Sequence, residues 1–486
     1  MLIGNDKEIK KYALFLIDAL IVLLGATNEK MTYAAVVVAF VIAALIGMYL
    51  NKYPGAWVCE GIVFLLCVQN LCIGIGAHAA GNTDDNLKLL TQIPFITIFV
   101  VWVSVSISQI IKDGFRKYIK NKTNILFALL MVCIAMSLLA GHGNISSCLV
   151  SLRNMTVFYM VYIIGQHAIR NRDDMQLLIR FILIAAMAMC IIGFVFMLGG
   201  YDLYKAFGVH EVYIAKASPF TEGRLDDRFI RVIRGRIVTR MGSIYYEPVN
   251  LAYFFAISVL CSVFHNPFDN KPVKAGSVIL SVTGLALTIG KGGYVIVVMS
   301  VCCLIGEYII RKFFRIDYKR CSDSLLLFFM ILLALIGVTL VIILFITFSD
   351  DRELVLPHIR GITGAMNSIA VKPLGYGLGN GGNAAYMFYE GKMEAAAWQE
   401  MGGETALMSF MYQIGVHGVI VFMMCVVSTG LKKVKQMDTF EKILFCMPWT
   451  LLCVSLLQDN TFTPQCITPY MLLLGGIRNI GSETGK

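Results

Sequence analysis

Long apolar runs dominate the chain, and short polar breaks between them carry most of its charge. This is the pattern of helices that cross a bilayer, each needing roughly 20 mostly apolar residues. It predicts fourteen helices, near 12–27, 33–50, 55–76, 92–110, 125–140, 148–166, 178–198, 248–264, 274–290, 293–310, 325–348, 405–429, 442–457 and 464–477. Only Lys291 and its flanking glycines divide the pair at 274–290 and 293–310. Two polar stretches, 199–247 and 349–404, are much longer than the other connections. Neither has a Ser/Pro-rich linker composition, so both are expected to be ordered and functional. The expected fold is an all-α polytopic membrane protein, one transmembrane domain over 1–486 with two long extracytoplasmic loops.

The charges in the breaks orient these helices. With the N-terminus in the cytoplasm, the inner breaks hold Lys112, Arg116, Lys117, Lys120 and Lys122, then Arg170, Arg172 and Arg180, then Lys271 and Lys274. Further inner clusters are Arg311, Lys312, Arg315, Lys319 and Arg320, and Lys432, Lys433 and Lys435. The short outer breaks hold only Lys30, Lys88 and Lys291. This asymmetry follows the positive-inside rule and puts both termini in the cytoplasm. Lys7, Lys10 and Lys11 before the first apolar run resemble the start of a signal peptide. Without a clear cleavage motif, the run is expected to remain as the first helix.

Composition agrees. Of 486 residues, 58% are hydrophobic and 15% charged, which excludes a conventional soluble enzyme, a coiled coil and a disordered chain. The net charge of +10 lies in membrane-flanking breaks, so it points to topology and membrane lipids and not to nucleic acid. Fourteen cysteines lie almost entirely in or beside apolar runs with no C-x-x-C pair, so neither a disulfide framework nor a metal cluster is expected. No cofactor motif stands out, and no internal repeat suggests inverted transporter halves.

The first long stretch carries Arg224, Arg228, Arg231, Arg234, Arg236 and Arg240, six arginines in seventeen residues. Guanidinium forks bind phosphate bidentately, and pyrophosphate at a membrane surface is the natural anionic partner. Arg228, Arg231 and Arg234 recur every third residue, which predicts one helical face presenting them together. Attraction to lipid headgroups, or pairing with Glu222, Asp226 and Asp227, is the alternative. The stretch GSIYYEPVN follows at 242–250. Pro248 keeps Glu247 out of helical geometry and opens the next helix. Glu247 and Asn250 are therefore candidates to hold sugar hydroxyls, or Glu247 simply favours the helix start.

The second long stretch contains KPLGYGLGNGGNAAYM at 372–387. Its glycines suit a tight backbone whose N–H groups can cradle an anion, with Tyr376 and Asn380 as candidate contacts. A Walker A sequence and a dinucleotide fingerprint are both absent. Glu404 stands at the mouth of the next helix, with Gln413 inside it. A carboxylate there suits acid–base work or a helix-dipole contact. His358 and Arg360 are polar candidates earlier in the stretch. Lys291, alone at the outer end of its span, can neutralise phosphate or snorkel to the interface.

The order of these stretches resembles the polysaccharide polymerase and O-antigen ligase superfamily of bacterial inner membranes. It runs from an arginine-rich loop to GSIYYEPVNLAYF, the glycine-flanked Lys291, PLGYGLGN and an acidic helix entry leading to YQIGVHG. The motifs span about 220–420 and most resemble a capsule or exopolysaccharide repeat-unit polymerase. The resemblance implies a GT-C-like fold and metal-independent, inverting glycosyl transfer. Undecaprenyl-pyrophosphate-linked oligosaccharides would serve as donor and acceptor, with a flippase and a chain-length regulator as partners. It assigns catalytic arginines to the outer loops, here Arg236 and Arg240, with Arg360 in the second. Arg231 and Gly242 fit an arginine–ten residues–glycine spacing seen in some polymerases. Ligases of the superfamily carry a histidine shortly before the helix that follows the second loop. Here that place reads GGETALM, with Glu404 and no histidine, which favours a polymerase over a ligase. A transporter is the alternative from another class.

Overall fold

The computed structural model describes residues 6–84, 86–216, 228–233, 236–313, 356–388, 395–430 and 438–480. Every helix expected from the apolar pattern coincides with an observed one, apart from 325–348, which lies outside the described residues. Among the described residues, seven helices are long and apolar enough to cross a membrane. They are Glu29–Lys52, Trp57–Ala80, Ile93–Asp113, Lys122–Ala140, Ile145–Ala168, Arg172–Ala206 and Ala406–Ser428. Pro248–Phe264 and Lys291–Gly306 are apolar but shorter. The polar breaks act as helix starts. Asn28 accepts from Met31 N at 3.0 Å and Asn171 from Asp174 N at 2.8 Å, while Asp438 and Glu441 form a capping box.

Two compact units divide the chain. The first comprises Met1–Phe115, Met160–Gly290 and Pro464–Lys486. Its helices Asp6–Gly25, Glu29–Lys52, Trp57–Ala80 and Ile93–Asp113 pack together, and Pro248–Phe264 packs on Lys271–Thr288 and Pro464–Ile480. Inside it, Thr97 donates to the fully buried Asp18 at 3.1 Å, satisfying part of a carboxyl group on an apolar helix. The Arg172–Ala206 helix runs into the stretch expected to be a loop from 199. Gly200 breaks its geometry with φ 60°. A short helix, Val209–Ala215, follows.

The arginine stretch departs from the sequence expectation. Strands β1 (Ile230–Ile233) and β2 (Arg236–Thr239) form an antiparallel hairpin instead of a helix. Ile230, Val232, Ile233, Ile237, Val238 and Thr239 are β-branched and favour extended backbone, which outweighs the three-residue arginine spacing. Strict all-α architecture is corrected to that extent. Arg224 and Arg234 lie outside the described residues.

The second unit comprises Arg116–Tyr159 and Lys291–Thr463. Here Lys122–Ala140 packs on Ala406–Ser428, and Lys291–Phe313 packs on Thr439–Ser455. Phe158, Phe410, Phe422 and Phe462 form its aromatic centre, with Phe422 and Phe462 ring centroids 4.9 Å apart. The stretch from 356 to 404 contains helices Leu356–Val371, Gly382–Met387 and Ala395–Glu400.

Candidate functional site

In the first unit the hairpin decides what each arginine can do. Arg231 pairs with Val238, and Ile233 with Arg236. Residues opposite each other share a face, as do residues two apart along a strand, so Arg231 and Arg236 lie on one face of the hairpin. Arg236 is exposed and Arg231 partly exposed. Two guanidinium groups on one face, diagonal to each other across the hairpin, suit a ligand with two anionic phosphates.

Arg240 differs. It is 2% exposed. Its Nε donates to the Thr288 carbonyl at 2.8 Å, its Nη1 to the Arg228 carbonyl at 3.0 Å, and its backbone N–H to the Phe229 carbonyl at 2.7 Å. These bonds pin the end of the hairpin. Arg228 pairs with Glu247 at 3.0 Å and lies over the Tyr213 ring. Glu247 is the cap residue of Pro248–Phe264, with Pro248 at the first turn as the sequence predicts. Buried with a guanidinium partner, it serves the hairpin's attachment. Asn250 is also buried, donating to Gln465 Oε1 at 2.8 Å and accepting from Cys466 Sγ at 3.4 Å.

Between hairpin and helix, Ser243 and Tyr246 adopt φ 45° and 50°, a region that non-glycine residues enter at a cost. Surrounding bonds over-determine this segment. Ser243 donates to Met189 O at 2.8 Å, Tyr213 to Tyr246 O at 2.9 Å and Tyr246 to Phe207 O at 2.7 Å, and the Asn70 amide donates to Tyr245 O. Burial, reinforced by Tyr204 and Glu211, holds the Tyr246 phenol well above its usual range. It therefore remains a neutral donor. Phe229, at the foot of β1, sits in the same aromatic nest, 4.8 Å from Tyr204 by ring centroids. The arginine face thus stands on a rigid base.

In the second unit the glycine-rich stretch spends many of its backbone donors inside the protein. The backbone N–H groups of Gly375, Tyr376, Gly377, Gly379, Asn380 and Gly382 all donate within the protein. The reason lies in the Ala406–Ser428 helix, which breaks at Gly415 with φ 73° and ψ 177°. The break leaves carbonyls at Tyr412 and Gln413 without helical donors. Tyr376 N and Gly377 N supply them at 2.8 and 3.1 Å, while Val416 N donates to Pro373 O at 3.1 Å. Gln413 Oε1 accepts from Gly379 N at 2.8 Å, and the Tyr376 and Tyr412 rings stack 4.3 Å apart. Asn380 donates to Tyr376 O at 2.9 Å. A Cβ at Gly377 would fall 2.0 Å from Gly141 O, so glycine there permits a close backbone approach. Tyr376, Asn380 and Gln413 thus support the broken helix, and a glycine inside an apolar run gave little sign of the break.

The sequence-selected acid has a partner that the sequence did not reveal. His358 Nε2 lies 3.2 Å from Glu404 Oε2. His358 is buried in the Leu356–Val371 helix, whereas the Glu404 side chain is 43% exposed just before Ala406–Ser428. The Gly402–Gly403 turn packs on Gly361 and brings the two together. A fixed imidazole beside a reachable carboxylate can orient a hydroxyl and accept or relay its proton. Arg360, two residues from His358, is exposed on the same helix. Lys291 is partly buried at the start of Lys291–Phe313.

No protein-family model, curated protein or solved structure matches the chain.

Proposed function

We propose that the chain is a polysaccharide polymerase of the bacterial cytoplasmic membrane, spanning it about fourteen times with both termini in the cytoplasm. It joins undecaprenyl-pyrophosphate-linked repeat units of a capsule, exopolysaccharide or O-antigen. The observation that carries this reading is the shared hairpin face of Arg231 and Arg236, two guanidinium groups beside a segment that leads into an apolar helix. A lipid-linked pyrophosphate needs charge neutralisation at the membrane surface.

In the proposed reaction an acceptor sugar hydroxyl attacks the donor's anomeric carbon from the face opposite the pyrophosphate. The new C–O bond forms as the anomeric carbon–phosphate oxygen bond breaks, and undecaprenyl pyrophosphate leaves with the bonding electrons. Arg231 and Arg236 offset the charge that grows on it. The acceptor hydroxyl gives up its proton to a base, and in the second unit Glu404, its carboxylate held by His358, is the candidate for that role. The donor is already activated, so the bond change requires no nucleotide.

Reconstitution with a defined lipid-linked repeat unit tests the proposal. A ladder of products without nucleotide or metal supports it, and transfer of a single unit to another acceptor sinks it. That second outcome belongs to the ligase reading. One observation favours it: the histidine missing from GGETALM is supplied through space by His358 beside Glu404. Vectorial movement of substrate without bond formation would mark a transporter.

A further inference from the structure

We propose that Trp398, Asn383, Asp459 and Tyr386 form a pyranose-binding subsite in the second unit. For its substrate this rests on the polymerase reading, in which the ligand is the glycan of a repeat unit. Trp398 on the Ala395–Glu400 helix donates its indole N–H to Asn383 Oδ1 at 2.9 Å. Asn383, on the Gly382–Met387 helix, donates through Nδ2 to Asp459 Oδ2. Asp459 opens the short turn Asp459–Phe462. Trp398, 15 residues from Asn383, and Asp459, 76 residues from it, thus meet through one planar amide.

The chain of bonds fixes the indole plane, and the Tyr386 ring stands 6.0 Å away at 50° to it. The two rings diverge as two walls and do not stack. Tyr386 is 49% exposed, and Asn383, Trp398 and Asp459 are all partly exposed. An amide has two N–H donors and two acceptor lone pairs. Asn383 spends one of each on Asp459 and Trp398, and keeps one of each. A donor and an acceptor side by side match two vicinal hydroxyls, while a fixed aromatic face matches the C–H face of a pyranose ring. An aromatic staple built only for packing would bury Tyr386 and leave no paired donor and acceptor at the rim.

Fluorotryptophan-labelled protein in lipid nanodiscs gives one fluorine signal for each of the four tryptophans, and Trp398→Phe assigns the one of interest. Free glucose, galactose, N-acetylglucosamine, rhamnose and glucuronate are titrated in turn. We expect at least one to shift the Trp398 signal saturably. Tyr386→Ala should weaken that sugar roughly tenfold with an unchanged thermal midpoint, and Asn383→Leu should weaken it at least as much. Tyr386→Ala removes an exposed ring, so it keeps the test valid if Asn383→Leu fails to fold. No saturable shift with any sugar, or wild-type affinity in Tyr386→Ala, overturns the subsite. The same preparations are assayed for ladder formation on lipid-linked repeat units. Ladders without a Trp398 shift overturn the subsite alone, whereas a saturable shift without ladders overturns the polymerase reading alone.

Discussion

Arg240 donates from Nε to the Thr288 carbonyl at 2.8 Å and is 2% exposed, while Arg236 at the head of β2 is open to solvent. Two arginines four residues apart therefore do different work. Arg240→Ala removes charge-assisted bonds to two carbonyls, and should destabilise the protein by about 3 kcal/mol. Arg236→Ala should leave the thermal midpoint unchanged and slow transfer roughly a hundredfold, about 3 kcal/mol of barrier. Lysine at 236 should rescue poorly, because a point charge does not reproduce the guanidinium fork. Thermal unfolding and single-turnover transfer on both variants check this. Normal turnover in Arg236→Ala would move the phosphate site elsewhere.

The orientation proposed for the helices predicts which cysteines are reachable. Ile237 is 74% exposed on the hairpin and Tyr386 is 49% exposed in the second long stretch. Introduced there, cysteine should react with an impermeant maleimide on intact spheroplasts, above the background of the native thiols. Cysteine at the exposed positions of Lys117 or Asp269 should react only after permeabilisation. The reverse pattern would invert the topology.

The helices were legible because each apolar run must satisfy its own backbone in lipid, so length and hydropathy nearly determine it. The hairpin was not. Arginines at 228, 231 and 234 imitate a helical face, and only the β-branched residues between them point to strands. The start of Pro248–Phe264 was readable from Pro248, a local rule. The pairing of His358 with Glu404 depends on the Gly361 contact with the Gly402–Gly403 turn, and no local pattern encodes it. Asn383 and Asp459 were invisible for the same reason.

The broken helix makes a steric prediction. At Gly377, φ is 99° and a Cβ would meet Gly141 O at 2.0 Å, backbone that cannot rotate away. Gly377→Ala should cost about 3 kcal/mol or more, from left-handed strain and overpacking together. Gly81 has φ 63° but nothing within 4 Å of its Cβ position. Gly81→Ala should cost only about 1 kcal/mol. Thermal midpoints in nanodiscs separate the two, and equal losses would refute the close-packing account.

Glu404 carries the last prediction. Its carboxylate is held at 3.2 Å by a buried imidazole and remains 43% exposed, so it can meet a substrate hydroxyl while His358 fixes its direction. Glu404→Gln keeps the size and an acceptor oxygen but removes the charge that draws the hydroxyl proton. Single-turnover transfer at saturating donor should fall roughly a hundredfold, within the range of general-base contributions. Donor binding should stay near wild type, because the proposal assigns that binding to the arginine face. His358→Gln removes the imidazole and should lower the rate less, since the carboxylate itself remains and only its direction is loosened. Purified variants in nanodiscs, measured for both binding and transfer, separate these effects. An unchanged transfer rate in Glu404→Gln would reduce the pair to a structural clamp between two helices. A loss of binding at an unchanged saturated rate would make Glu404 a residue that positions substrate and takes no proton.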